Sequence, residues 1–294
     1  MKKVILLMIV GIMLLAIIYI SRDDVSNVKT DEYVAENEED VKEYMLNLVQ
    51  KDWDYEMIKT MCVLVRTGCI YGKVNEVEEN IKQYYKSIYN NIHSNNITFK
   101  KLPSKIQTKI KKAIDKGIEE TKGEIIVYKK DVVYPFFHYV SPRVTRNEDS
   151  NLKINIPYLK KRICKYDIES KEFIQIKYFN KADVIKKIAS DTEGKEISIS
   201  KVDKSGYVYG LKIDNKYNVD VNKFIYALGL NSNNFTISTY TENKDIIRIV
   251  CRGKGSGMGL SIYDANRLAK KENRTYKEII KLYFKKIEIK KYVV

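Results

Sequence analysis

Between Arg252 and Leu260 the chain places glycine at every second position: Gly253, Gly255, Gly257 and Gly259, four of its 13 glycines. Alternating glycine in an ordered chain marks backbone that takes positive φ or lets another group approach closely. The run Asp245 to Val250 ahead of it reads as strand, and the residues from Ala265 onward read as helix. Strand, glycine loop and helix start suit a ligand lying against backbone N–H groups; a tight structural turn is the competing reading. Phosphate-binding versions are excluded. Met258 and Leu260 stand where a dinucleotide fingerprint needs its third glycine, and no Lys-Ser or Lys-Thr pair closes the loop.

Other chemistry-bearing residues are sparse. Four cysteines (Cys62, Cys69, Cys164, Cys251) accompany two histidines, neither near a Cys-x-x-Cys pair, so a zinc site is not expected. Cys62 and Cys69 share one face of a predicted helix but do not readily bridge. The sequence does not choose among the three possible disulfide pairings, and free buried thiols are the expectation.

The elements that must position these residues change type along the chain. Val41, Tyr44, Met45, Leu48 and Val49 recur at helical spacing, as do Met57, Ile58, Met61 and Val65 after the break Asp52-Trp53-Asp54. Asp54 reads as the N-cap of that second helix. Asn75 to Asn96 and Lys105 to Glu120 read as further helices. The period then drops to two: Glu124 to Tyr128 and the aromatic run Val132 to Tyr139 read as a hairpin about Lys129-Lys130-Asp131. Glu196 to Ser200, Tyr207 to Ile213 and Ile246 to Val250 read as strands, and Asn222 to Leu228 and Tyr276 to Phe284 as short helices. The expected class is α+β in one compact unit.

A net charge of +15 over 294 residues would suit nucleic acid, an anionic wall polymer or a membrane surface. The lysines are dispersed and no nucleic-acid reader motif accompanies them, so nucleic acid is set aside as a partner. Met1-Lys2-Lys3 precedes seventeen uncharged residues, Val4 to Ile20, at the short end of a membrane span. The two lysines predict a cytoplasmic N-terminus, and Tyr19-Ile20-Ser21-Arg22 lacks the small residues of a signal cleavage site. The sequence thus predicts a single-pass anchor over residues 1–22, a polar stalk over 23–39 and a mixed helix/sheet extracytoplasmic domain over 40–294. A cleaved signal would change the anchor but not the compartment.

Four stretches in order, from about residue 40 to 290, resemble the stage II sporulation protein D family, peptidoglycan lytic transglycosylases of spore-forming bacteria. Tyr44 to Val49 followed by Glu56 to Thr67 resembles that family's Tyr-Leu-x-Gly-Val-Val and Glu-Ala-Leu-Lys-Ala-Gln-Ala-Val-Ala-Ala-Arg-Thr. Ala113 to Ile125, then Phe137 to Thr145, resembles its Ala-Val…Thr-x-Gly and Tyr-His-x-x-Ser-Gly-Gly-x-Thr, and Pro157-Tyr158-Leu159 its Pro-Tyr-Leu. The glycine loop resembles its Gly-x-Gly-His-Gly-x-Gly-Met-Ser-Gln-Tyr-Gly-Ala.

The resemblance implies cleavage of denuded glycan strands without water. A carboxylic acid protonates the oxygen between N-acetylmuramic acid and N-acetylglucosamine; as carboxylate it then takes the proton of the sugar's own 6-hydroxyl, closing a 1,6-anhydro ring. One group serves as acid and then base. The family's Glu, three positions after Val-Val, is Asp52 here, with Asp54 and Glu56 close in sequence. Trp53 would desolvate the Asp52 carboxyl and Lys51 would favour its charged form. Arg66, His138, Ser141, Gly255, Ser256, Gly257, Ser261 and Tyr263 are the implied groove residues. The departures are Pro142-Arg143 for Gly-Gly, Ser256 for His and Ile262 for Gln. Residues 139–150 contain none of the cysteines with which some relatives bind zinc, so neither metal nor cofactor is implied. The implied partners are glycan strands and the amidase and membrane protein of the engulfment complex, at the mother cell's engulfing membrane. Two readings follow: an active lytic transglycosylase, or a glycan-binding scaffold that has lost efficient chemistry.

Overall fold

The computed structural model describes residues 30–74, 99–149, 154–189 and 194–292. Its first layer is helical: α1 (Thr30–Leu48), α2 (Tyr55–Val74) and α3 (Ser104–Glu120). The mean period of α2 hides its role, because almost every residue from Met57 to Thr67 is buried. A helix apolar all round is a central helix. Val41, Met45 and Leu48 of α1 and Ile114 and Ile118 of α3 close on it. Thr67 binds the next layer to it: its hydroxyl accepts the Ile126 N–H at 3.0 Å.

That layer is β1 (Glu124–Tyr128), paired antiparallel with β2 (Asp131–Val132) on one side and with the C-terminal strand on the other. The expected hairpin turn is present, with Lys129 and Lys130 both at positive φ. Its second strand is shorter than expected. Proline cannot donate to a ladder, and the chain leaves the sheet ahead of Pro135. It re-enters pairing as β3 (Phe137–His138), followed by the short pair β4 (Glu148–Asp149) and β5 (Ile154–Asn155).

A second unit of structure occupies residues 174–252: β6 (Ile174–Asn180), α4 (Lys181–Ile188), β7 (Ile197–Val202), β8 (Val208–Ile213), β9 (Tyr217–Val219), α5 (Val221–Leu228), β10 (Phe235–Tyr240) and β11 (Asn243–Arg252). They make two three-stranded antiparallel sheets, β10-β11-β6 and β7-β8-β9. Val184, Leu211, Phe224, Ile247 and Ile249 form their own core, separate from the one around α2. The single compact unit expected from sequence is therefore built on two cores. Strands β6, β9 and β10 and helix α4 are not among the elements expected from the sequence.

The chain then returns to the first core through β12 (Leu260–Ser261), which pairs parallel with β3, and through α6 (Ile262–Glu272), α7 (Tyr276–Tyr283) and β13 (Ile287–Lys291). Helix α6 begins three residues earlier than expected, because Ser261 caps it by accepting the Asp264 N–H. A Thr275/Glu278 capping box starts α7.

Two sequence expectations meet the structure directly. Residues 30–39, expected as stalk, are the opening turns of α1, and Glu38 is tied into the domain by Arg66. All four cysteines are free; burial pushes the Cys62 thiol up to about 12. The expected anchor and the helix over 75–96 lie outside the described residues, and among the described residues no helix is long and apolar enough to cross a membrane.

Candidate functional site

A cleft of about 310 Å³ opens between the α1–α2 turn and the start of α6. The turn from Val49 to Trp53 forms one wall, Tyr139, Lys171 and Glu172 another, and Ile262, Tyr263 and Asn266 of α6 the third. Its lining carries aromatic faces, two carboxylates and two side-chain amides.

The α1–α2 turn is held from across the cleft. Asn266 accepts the Asp54 N–H at 2.8 Å and its amide donates to the Asp52 carbonyl at 3.4 Å. Asp54 caps α2 by accepting the Glu56 N–H at 2.9 Å, as its position before the apolar series predicts. Glu56 in turn accepts the Tyr276 N–H at the start of α7. Asp54 and Glu56 thus serve the fold, and Asp52 is the carboxylate of this turn that faces the cleft. Its side chain is 52% exposed, and Lys270 Nζ stands 3.7 Å from Oδ2. The nearby cation is Lys270 on α6 rather than the expected Lys51 alone. Trp53 is buried in the first core and reaches the cleft lining beside it.

Tyr139 forms the floor. Its hydroxyl donates to Gln50 Oε1 at 3.3 Å, and burial pushes its pKa up to about 12. Its backbone carbonyl accepts the Tyr263 N–H at 3.0 Å, which fixes the two tyrosines against each other. Lys254 Nζ lies over the Tyr139 ring at 5.5 Å and 4.0 Å from Glu172; burial lowers its pKa.

Of the residues expected in a groove, the cleft brings together Asp52 and Tyr263. The others lie inside the protein. Arg66 is 1% exposed and forms a two-pronged pair with Glu38, Nε to Oε1 and Nη2 to Oε2 both at 2.7 Å. The same guanidinium donates to the Glu124 carbonyl, so it clamps α1, α2 and β1. His138 is fully buried; Nδ1 bonds the Met258 carbonyl at 2.9 Å, and Nε2 has no hydrogen-bond partner among the described residues. Burial pulls its pKa down to about 4, so the ring is neutral at pH 7.

The glycine loop is a junction and not an open wall. Gly253, Gly255, Gly257 and Gly259 all take positive φ. A Cβ on Gly259 would come within 1.9 Å of the Phe136 carbonyl oxygen, and one on Gly253 within 2.7 Å of that of Val140. Both glycine requirements inferred from sequence therefore operate here. The backbone donors expected to meet a ligand are spent internally: Gly253 N–H donates to Phe173, Lys254 to Val140, Gly255 to Asn231 and Leu260 to Phe136. Ser256 sits in the same fold of chain, its hydroxyl accepting the Met258 N–H and its carbonyl accepting Arg146 Nε at 2.7 Å. Arg146 pairs with Asp203 at 2.9 Å and lies over the Tyr207 ring, binding the loop to the second core.

Ser141 and Ser261 belong to a buried cluster beneath the cleft that sequence reasoning did not find. Its centre is Asp167, fully buried, whose carboxylate accepts from the Ser141 N–H at 2.7 Å, the Ser141 hydroxyl at 2.6 Å and the Ser261 hydroxyl at 2.8 Å. Burial pushes its pKa up to about 7, against the pull of the serine bonds. No local pattern distinguishes Asp167 in Lys165-Tyr166-Asp167-Ile168-Glu169; its partners lie 26 and 94 residues away. Among the described residues no cluster of histidine, cysteine and carboxylates is placed to hold a metal ion.

The chain is similar in sequence to known sporulation proteins. Stage II sporulation protein D of Bacillus subtilis (strain 168) is 28% identical over 174 residues, 58% of this chain and 49% of that protein. Its counterpart in Bacillus amyloliquefaciens is 24% identical over 170 residues, 58% and 48% of the two chains. An uncharacterized protein of Brachyspira hyodysenteriae is 25% identical over 279 residues, covering 89% of this chain and 70% of its own. No protein-family model matches the chain. The class is a mixed α/β protein with a polar, aromatic-lined cleft at a helix–helix turn. Within that class, the chain is similar to the stage II sporulation protein D proteins of two Bacillus species. It spans about half the length of the two sporulation relatives.

Proposed function

We propose that this chain is a membrane-anchored lytic transglycosylase of spore formation that acts on denuded peptidoglycan strands, with Asp52 as acid and then base. The observation carrying this reading is that Asp52, at the family's acid position, shares one cleft with Tyr263, Tyr139 and Asn266. A sugar ring laid over the tyrosines would cover the half-exposed carboxyl and supply the desolvation a general acid needs. Asn266 holds the peptide backbone on both sides of Trp53, so the carboxyl has a fixed origin even though its side chain is free to turn. The amidase and membrane protein of the engulfment complex are its partners in this reading, and residues 1–22 its anchor.

A second reading is a glycan-binding scaffold without efficient chemistry. It is favoured by the 3.7 Å contact of Asp52 with Lys270 and by the shorter reach of Asp, since misplacement near 1 Å costs on the order of a hundredfold in rate. Incubation of the protein with denuded glycan strands, followed by mass spectrometry, separates the two. The first reading expects 1,6-anhydro products that vanish in Asp52→Asn. Binding without products supports the scaffold, and products that persist in Asp52→Asn remove Asp52 from the chemistry.

A further inference from the structure

Two walls of the cleft converge on one buried group. Ser141 follows Tyr139 by two residues on the floor. Ser261 caps α6 and immediately precedes Ile262 and Tyr263 of the third wall. Asp167 stands four residues before Lys171 and holds both serines. We infer that Asp167 is the positioning residue of the cleft: by bonding Ser141 and Ser261 to one carboxylate it sets the spacing between the wall of Tyr139 and Glu172 and the wall of Tyr263, and that spacing changes when the carboxylate takes up a proton. The inference rests on the reading of this cleft as the working site.

The hydrogen-bond inventory gives the reason. An ionised carboxylate only accepts, and here it accepts from one N–H and two hydroxyls. A protonated carboxyl must donate once, so one serine hydroxyl has to turn from donor to acceptor. Ser261 has somewhere to turn: its oxygen lies 3.4 Å from the Tyr139 carbonyl, which also accepts the Tyr263 N–H. Redirecting that hydroxyl loads the peptide group joining the two cleft tyrosines.

The charged and titratable neighbours permit this without a rival. Asp264 of α6 is committed to the Tyr283 hydroxyl at 2.6 Å, the Tyr166 N–H at 3.0 Å and Arg162 at 3.5 Å. Burial raises the Cys164 and Tyr283 pKa values, so both stay neutral around pH 7. Among the described residues no cation bonds Asp167 itself. Its own carboxyl, pushed up to about 7 by burial, is the group on this side of the cleft that changes charge near neutrality.

The chain's one tryptophan is Trp53, in the cleft lining, which makes the test direct. Emission of the unliganded full chain, excited selectively at tryptophan, is followed from acid to alkaline pH. The expected result is a transition near pH 7 in the wild type that disappears in Asp167→Asn and is retained in Asp52→Asn. Ser261→Ala removes one donor to the ionised form and is expected to move the midpoint up by about one pH unit. Should Asp167→Asn not fold, the Ser261→Ala shift carries the test alone. A flat wild-type curve, or a transition unchanged in these Asp167 and Ser261 variants, overturns the assignment. Because no glycan is present, the outcome is separate from whether the cleft cleaves or binds glycan.

Discussion

Asn266 on α6 accepts the backbone N–H of Asp54 at 2.8 Å, although the two residues are 212 positions apart. Its amide also reaches the Asp52 carbonyl at 3.4 Å. One side chain thus pins the turn that presents the candidate acid. Asn266→Ala leaves the Asp54 N–H without its acceptor, and an orphaned part-buried donor costs about 1–3 kcal/mol. Asn266→Asp keeps an acceptor for Asp54 but loses the donor to Asp52. The expected order in thermal unfolding is wild type, then Asn266→Asp, then Asn266→Ala, with both variants weaker in glycan turnover.

Arg66 matches a family motif yet belongs to the interior. Removing it strands Glu38 against the buried turn at Gly123 and Glu124, which the carboxylate and guanidinium now share. Breaking a buried ion pair by deleting one partner costs about 3–5 kcal/mol. Arg66→Ala should show that loss in urea unfolding, while its folded fraction binds denuded glycan with unchanged affinity. A weakened affinity with intact stability would return Arg66 to the groove.

Two glycines with nearly the same φ separate conformation from crowding. Gly123 has φ 71° with nothing within 4 Å of an added Cβ, whereas Gly259 has φ 71° and the Phe136 carbonyl at 1.9 Å. Gly123→Ala should cost about 1–2 kcal/mol, the left-handed penalty alone. Gly259→Ala must also displace backbone, so it should cost clearly more and lower the yield of folded protein. Melting temperatures of the two variants make the comparison.

Two buried groups pull stability in opposite directions with pH. Asp167 is raised from 3.8 to about 7, so its contribution is full below pH 4 and is lost as pH rises through 7. His138 is lowered from 6.5 to about 4, so its contribution is full above 6.5 and is lost as pH falls through 4. Between about pH 4 and 6.5 the two slopes oppose. Urea unfolding across that window should be nearly flat in these two terms for the wild type. Asp167→Asn should leave stability rising with pH and His138→Gln falling, each by at most about 1.4 kcal/mol per pH unit.

The parts of this molecule legible in its sequence are those whose cause is local. Helix periodicity, the Asp54 cap and the demand for glycine at 253, 255, 257 and 259 all follow from neighbours in the chain. What the glycines are for was not legible, because the groups that crowd them, Phe136, Val140 and Tyr207, lie at least 50 residues earlier in the chain. The same holds for Ser256: its place in a family motif suggested a groove, but Arg146 and Asp203 make it part of a joint between two cores. Asp167 had no signal at all, since an aspartate between Tyr and Ile reads as a surface turn until its serine partners are known.

Asp52→Glu is the sharpest single substitution. If the cleft was built for a Glu at this position, one added methylene moves the carboxyl toward a substrate on Tyr139 and Tyr263 and away from the peptide that Asn266 holds. Lys270 lies 3.7 Å from the Asp52 carboxylate and competes with a substrate for it. Asp52→Glu is therefore expected to raise the yield of 1,6-anhydro products about tenfold or more if the Asp costs reach alone. Lys270→Met should raise it further by freeing the Asp52 carboxylate from its 3.7 Å contact. Absence of product in the double variant, with glycan affinity preserved, would decide for the scaffold: a cleft that still holds the strand but no longer has the geometry to cut it.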